Sequence, residues 1–252
     1  SHGHSRIFRF AYDVVDYAEL AMVALSDWRA IEADAGLRLL TPTGGLDLGP
    51  GDQPALKQVA GVLTEIGAAY EVLDGRGLRQ RWPVWNVPDD WVGVASPDAG
   101  ILASTTAVET LAGMARAYGA DVREHTPVLA LDLDRPGAPR VRTADEVFTA
   151  PRVIVAAGAW VGKLLPDLAP RFTVTEECLA YFRPRTPERF TPETFPIFIE
   201  HGDSGGYGFP AFGHPGVKVG FHHDGLAVTP ETRLDRPRQE VLDRLAAYVA
   251  DR

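Results

Sequence analysis

Apolar residues at Val14, Tyr17, Ala21, Ala24, Leu25, Trp28 and Ile31 recur every three or four positions, and Gly36 follows as a stop. That spacing predicts an amphipathic helix from Asp13 to Ala35. Leu37 to Leu40 and Leu46 to Leu48 then flank Thr41-Pro42-Thr43-Gly44-Gly45, which reads as two short strands around a turn. A second helix is expected over Gln53 to Ile66, a strand over Tyr70 to Leu73, and a helical turn capped by Asp74 that ends before Trp82-Pro83. Beyond the loop from Trp82 to Trp91 come strands at Val92 to Ala95 and Asp98 to Leu102. Thr106 with Glu109 forms a capping-box pattern for a helix that runs to Gly119.

Short strands follow at Asp121 to Glu124, Val128 to Asp134, Arg140 to Thr143 and Glu146 to Phe148, with Arg135 to Pro139 as a hairpin turn. Arg152 to Trp160 breaks the alternation. An unbroken apolar run of this length predicts a strand buried on both faces, and its small residues Ala156, Ala157, Gly158 and Ala159 would let a flat ligand or another backbone come close. Phe172 to Arg183 and Pro196 to Glu200 read as further strands, and Gln239 to Ala250 as a helix.

The chemistry concentrates in Gly205 to His223, GGYGFPAFGHPGVKVGFHH. Alternation through Val217-Lys218-Val219-Gly220-Phe221-His222 puts Lys218, Gly220 and His222 on one face of a strand and the apolar residues on the other. Same-face neighbours lie roughly 6.5 to 7 Å apart, so one small substrate can touch both polar side chains. A lysine held in a low-dielectric cleft acts on a developing anion far more strongly than in water. The same spacing also describes the wet face of an ordinary antiparallel strand.

Composition narrows the classes. At 252 residues and 45% hydrophobic content the chain is a folded globular one of one large or two small domains. A net charge of −9 without a basic run argues against nucleic acid. The single cysteine, Cys178, excludes an intrachain disulfide and a cysteine-based zinc site, and reads as a small buried hydrophobe. His2-x-His4 has no further ligand at metal spacing, so no metal site is expected. No apolar stretch reaches 18 residues, which leaves no membrane span and a reducing, cytoplasmic setting as the default.

Ser1-His2-Gly3 with Arg6 and Arg9, Thr43-Gly44-Gly45-Leu46, Ala156-Ala157-Gly158-Ala159-Trp160, and Tyr207-Gly208-Phe209-Pro210 with Lys218 and His222 together resemble the monomeric sarcosine oxidase and N-methyltryptophan oxidase family. The resemblance implies FAD as cofactor and oxidation of a secondary amine or N-methyl amino acid. Oxygen would be the acceptor, yielding hydrogen peroxide and an imine that hydrolyses. It also implies roles. Lys218 resembles the lysine that promotes oxygen reduction beside the flavin, and His222 and Tyr207 resemble side chains that shape the substrate cavity. Arg9 resembles the arginine that receives the substrate carboxylate. His2 and Arg6 resemble residues near the flavin ring, and Val128, Ala156, Gly158 and Trp160 match positions along the dinucleotide.

The family's Gly-x-Gly-x-x-Gly unit has no counterpart before Ser1, and family members continue beyond Arg252, so the sequence reads as the central part of such an enzyme. The expected fold is mixed α/β. An incomplete FAD-side Rossmann-like part (1–36 and 97–168) is interleaved with a substrate-side part on a larger, mostly antiparallel sheet (37–96 and 169–232), and a helix over 233–252 leads onward. Two rivals stay open: a flavin-free domain that acts as a binding or structural module, and a flavin dehydrogenase of the same superfamily.

Overall fold

The computed structural model describes residues 3–134, 137–202, 205–222 and 224–252, which fall into two compact units. The first comprises residues 1–114, 177–224 and 237–252, and the second residues 115–176 and 225–236. The architecture is mixed α/β, as the patterning predicts.

In the first unit, β1 (Ser5–Phe8) leads into α1 (Val15–Ala35), which ends at Gly36 in the left-handed region (φ 66°) with its N–H bonded to the Glu32 carbonyl. Ala21 and Leu25 pack against Leu56, Val59 and Leu63 of α2 (Pro54–Glu65). Ala21, Ala24, Leu25, Trp28 and Ile31 of the expected stripe are all half-buried, and only its first turn differs. Ala18 is its fully buried residue, while Tyr17 is exposed, because the small side chain permits the closer approach.

β2 (Leu40–Pro42) and β3 (Gly45–Pro50) do not form the expected hairpin. Gly44, at φ 69°, turns the chain from one sheet into another, and the N–H groups of Thr43 and Gly44 both donate to the Ala99 carbonyl. β4 (Glu71–Asp74) precedes α3 (Gly75–Arg81), and Asp74 caps it as expected, its Oδ1 accepting from the Gly77 N–H at 2.7 Å. β5 (Trp91–Ser96) and β6 (Gly100–Ala103) follow, then α4 (Ser104–Ala117). This helix starts before the expected capping box, so Thr106 and Glu109 lie inside it. The Ser104 N–H and hydroxyl bond instead to the carbonyls of His4 and Gly3.

In the second unit, β7 (Ala130–Asp132), β8 (Arg140–Arg142) and β9 (Val147–Thr149) form an antiparallel three-stranded sheet. Part of the expected hairpin turn, Arg135 and Pro136, lies outside the described residues. Asp121 to Glu124 is not a strand; its backbone joins no sheet among the described residues, and its carboxylates form exposed ion pairs with Arg123 and Arg116. The run from Arg152 to Trp160 is also not the doubly buried strand its composition predicts. Its backbone pairs with no strand among the described residues; Val153, Val155, Ala157 and Ala159 are half-buried while Ile154, Ala156, Gly158 and Trp160 are exposed. An apolar run is buried on both faces only where layers cover both, and here one face is covered. A short helical turn over Gly158–Trp160, α5 (Val161–Leu164) and β10 (Thr175–Glu176) complete this part.

The expected strand from Phe172 to Arg183 is cut at Glu177 and half-buried Cys178, and the chain re-enters the first unit at Glu177. There β11 (Leu179–Phe182), β12 (Ile197–Glu200), β13 (Gly206–Phe209) and β14 (Val217–Phe221) join the main sheet, in the order β11-β14-β13-β12-β3-β5-β4. Every neighbouring pair is antiparallel except β12 with β3. A smaller sheet runs β1-β6-β2. β15 (Leu226–Ala227) pairs with β10 in the second unit, and α6 (Gln239–Asp251) returns to the first.

One face of the seven-stranded sheet makes the largest core. Leu46, Leu48, Phe198, Val217, Val219 and Phe221 pack there with Leu78, Trp85, Leu245 and Tyr248. Glu200 is buried on this side. It accepts from the Tyr248 hydroxyl at 2.8 Å and from Arg252 Nε and Nη2 at 2.8 and 2.9 Å, which ties α6 to the sheet. Burial together with the Glu200 charge pushes the Tyr248 phenol strongly upward. The opposite face carries the polar chemistry.

Candidate active site

Alternation in β14 sends Val217, Val219 and Phe221 into the core and Lys218 and Gly220 to the other face. On that face Lys218 stands opposite Tyr181 of β11 and Phe209 of β13, while Gly220 stands opposite Tyr207 of β13 and Leu179 of β11. The same face continues through Ile199 of β12, which pairs with both Tyr207 and Asp47 of β3. Strand pairing thus lines up Asp47, Ile199, Tyr207 and Gly220 in one row across the sheet.

Lys218 is not on a wet face. It is 4% exposed, with its Nζ donating to the carbonyl and the hydroxyl of Ser5, each at 3.2 Å, and standing 4.4 Å from the centre of the Phe209 ring. Among the described residues no carboxylate pairs with it. Burial, assisted by the nearby charge of Arg6, lowers its pKa from 10.5 to about 8. Arg6, on β1, donates to the carbonyls of Gly3 and Ser5. Gly3 has φ 83°, and a Cβ there would come within 3.7 Å of the Tyr181 hydroxyl and 4.0 Å of Lys218 Nζ. These are ordinary van der Waals contacts, so it is the left-handed backbone rather than lack of space that favours glycine here.

Tyr207 lies over Gly220, where a Cβ would meet its hydroxyl at 2.6 Å. The glycine is required by the ring. Burial, then the charge of Glu177, raises the Tyr207 pKa, so the phenol stays neutral and able to donate. His222 stands one residue past the end of β14 at an exposed bend, with its N–H bonded to the Gly205 carbonyl at 2.8 Å. His2 lies outside the described residues.

Arg9 follows β1. Its Nη1 donates to Asp47 Oδ1 at 2.8 Å, and its guanidinium lies 4.7 Å over the Tyr12 ring. The same Asp47 oxygen also meets His201 Nε2 at 2.8 Å. Asp47 and His201 are absent from the sequence-based candidates. The signal for Asp47 is an acid between Leu46 and Leu48 in a strand pattern; His201 follows a strand end and carries no such mark.

Structure thus brings Arg6, Tyr207 and Lys218 together, with Arg9 engaged by Asp47. Val128, Ala156, Gly158 and Trp160 belong to the second unit, and all four are exposed there. Trp160 borders a cleft of about 480 Å³ that is also lined by Lys163, Phe172, Val174 and Glu231. Among the described residues no cluster of His, Cys, Asp or Glu could hold a metal ion, and no helix is long and apolar enough to cross a membrane.

The whole chain, residues 1–252, matches the family described as FAD dependent oxidoreductase. It is 30% identical over 236 residues to a monomeric sarcosine oxidase from Bacillus sp. (strain B-0618), covering 92% of this chain and 60% of that protein. It is 33% identical over 231 residues to an N-methyl-L-tryptophan oxidase from Yersinia pestis (strain Pestoides F), covering 90% and 61%. The chain therefore spans about 60% of the length of these curated relatives. The fold is similar to that of NikD, described as an unusual amino acid oxidase, with a TM-score of 0.81 at 23% identity over 100% of this chain and 67% of that one. It is also similar to L-proline dehydrogenase from P. horikoshii, with a TM-score of 0.74 at 17% identity over 95% and 63%.

Proposed function

The chain belongs to the family of FAD dependent oxidoreductases, and from that premise we propose that the protein oxidises a secondary amine or N-methyl amino acid. Oxygen accepts the electrons, and the products are hydrogen peroxide and an imine that hydrolyses in water. The observation that carries this reading is the buried ammonium of Lys218, which pairs with no carboxylate among the described residues and lies near the charge of Arg6.

The donor set suits the family's cofactor. The ammonium of Lys218, held by the Ser5 oxygens and lying over the Phe209 ring with the charge of Arg6 nearby, favours an electron-rich planar group over another cation. FAD, when bound, supplies the redox chemistry. By their geometry Arg6 and Lys218 would hold it, and the sequence resemblance adds His2, Val128, Ala156, Gly158 and Trp160 to the cofactor contacts we propose. The cofactor-side and substrate-side parts assigned from the sequence belong to the same proposal.

The remaining roles follow from the side chains. Protonated Lys218 stabilises negative charge as it develops on oxygen. Tyr207, a neutral phenol, donates a hydrogen bond into the substrate space, and His222 borders that space. Arg9 retains donors beyond the one given to Asp47 and receives the substrate carboxylate.

The test is oxygen uptake and peroxide release by the full-length, flavin-loaded protein with sarcosine, N-methyltryptophan and the secondary amine dimethylamine. Oxygen consumption matched by peroxide with at least one of them is expected. Anaerobic reduction by the same compounds without aerobic turnover would replace the oxidase reading with a dehydrogenase.

A further inference from the structure

An acid in the middle of a buried strand calls for an account of what it does there. Asp47 is 1% exposed, between the core residues Leu46 and Leu48 and facing the opposite way. An apolar residue of similar size is often at least as stabilising in such a place as an ion pair. Fold stability alone therefore gives little reason for Asp47.

Its two partners give a better one. Arg9 and His201 reach the same Asp47 oxygen from two other segments, each at 2.8 Å. A guanidinium has five N–H donors in a rigid fork, of which Asp47 takes one, while stacking on Tyr12 at 4.7 Å fixes the plane. A long side chain held at one corner and over one face loses little further freedom when a ligand arrives. Position agrees with this use. Asp47 and Tyr207 flank Ile199 in one cross-strand row, so their backbones are about 10 Å apart, within the span of an amino acid and its two recognising side chains.

We propose that Asp47, braced by His201, is a positioning residue that fixes Arg9 so that its remaining edge receives a substrate carboxylate, making the protein selective for amines that carry one. This rests on the reading of Arg9 given above.

The test is titration calorimetry on full-length, flavin-loaded protein with methoxyacetate, an ether isostere of N-methylglycine with no amine to oxidise, and with its neutral amide, methoxyacetamide. Wild type is expected to prefer the carboxylate by roughly tenfold or more, the size of one charge-assisted hydrogen bond. Asp47→Asn, which keeps the shape but loses the charge that holds the guanidinium, is expected to cut that preference to about twofold or less through weaker methoxyacetate binding. His201→Leu should give a partial loss, and carries the test if Asp47→Asn fails to fold. An unchanged preference in both variants, or equal weakening of both ligands, would reduce Asp47 to a structural role and overturn the inference. A raised preference would overturn it too, because Asp47 would then compete with the ligand for Arg9. Arg9→Gln separates the two layers: if it leaves the preference intact, or if wild type shows none, the reading of Arg9 fails. If it abolishes the preference while Asp47→Asn does not, only the inference fails.

Discussion

Burying an ammonium without a carboxylate lowers stability, and among the described residues Lys218 is buried in that way. Its pKa falls from 10.5 to about 8 in the folded chain, chiefly through burial. The unfolded state therefore binds more protons between those values, and stability rises with pH across that window. Below about pH 8 the full penalty applies, on the order of 3 kcal/mol. Lys218→Met should accordingly raise the melting temperature of the flavin-free protein at pH 7, with the gain shrinking between about pH 8 and 10.5 in a thermal-unfolding series. A gain that does not change with pH would show that the ammonium is not buried as charged. Alternation alone places Lys218 opposite the core residues Val217 and Val219. What it cannot reveal is Ser5, 213 positions away, whose oxygens decide between a wet face and a buried one. Asp47 is similar: its strand position is legible between two leucines, but partners 38 and 154 residues distant come from the tertiary fold.

At the scale of elements, local chemistry is legible wherever one residue settles the geometry. Asp74 caps α3 and Gly36 closes α1, both written in residue type. Asp74→Ala removes the acceptor from the Gly77 N–H and should cost about 1 kcal/mol, read as a lowered denaturation midpoint at unchanged slope. The misjudged elements are those that depend on neighbours. The segment 41–45 looks like a hairpin turn until its flanking strands are seen to join different sheets. Arg152 to Trp160 has the composition of a doubly covered strand, yet composition does not say how many layers cover it. Thr106 and Glu109 satisfy a capping pattern two residues inside a helix whose start is fixed by bonds from Ser104 to His4 and Gly3.

For the molecule as a whole, the seven-stranded sheet divides labour between its faces. One buries the largest core and is clamped by Glu200, Tyr248 and Arg252; the other carries Tyr181, Lys218, Tyr207 and Asp47. A rigid sheet holds such side chains more accurately than a loop would. The strand stretch that bears Lys218 and Tyr207 is visible in the sequence because glycines, aromatics and one lysine are concentrated there. Assigning chemistry to it depends on the family, since spacing alone fits a solvated strand equally well. The central claim is that Lys218 provides the positive charge used when oxygen takes electrons. The most direct measurement is stopped-flow on the full-length, flavin-loaded protein, comparing wild type with Lys218→Met in anaerobic reduction by substrate and in the subsequent reaction with oxygen. The account predicts that the oxygen rate falls about 100-fold or more while reduction by substrate changes little. Equal oxygen rates in the two proteins would contradict it.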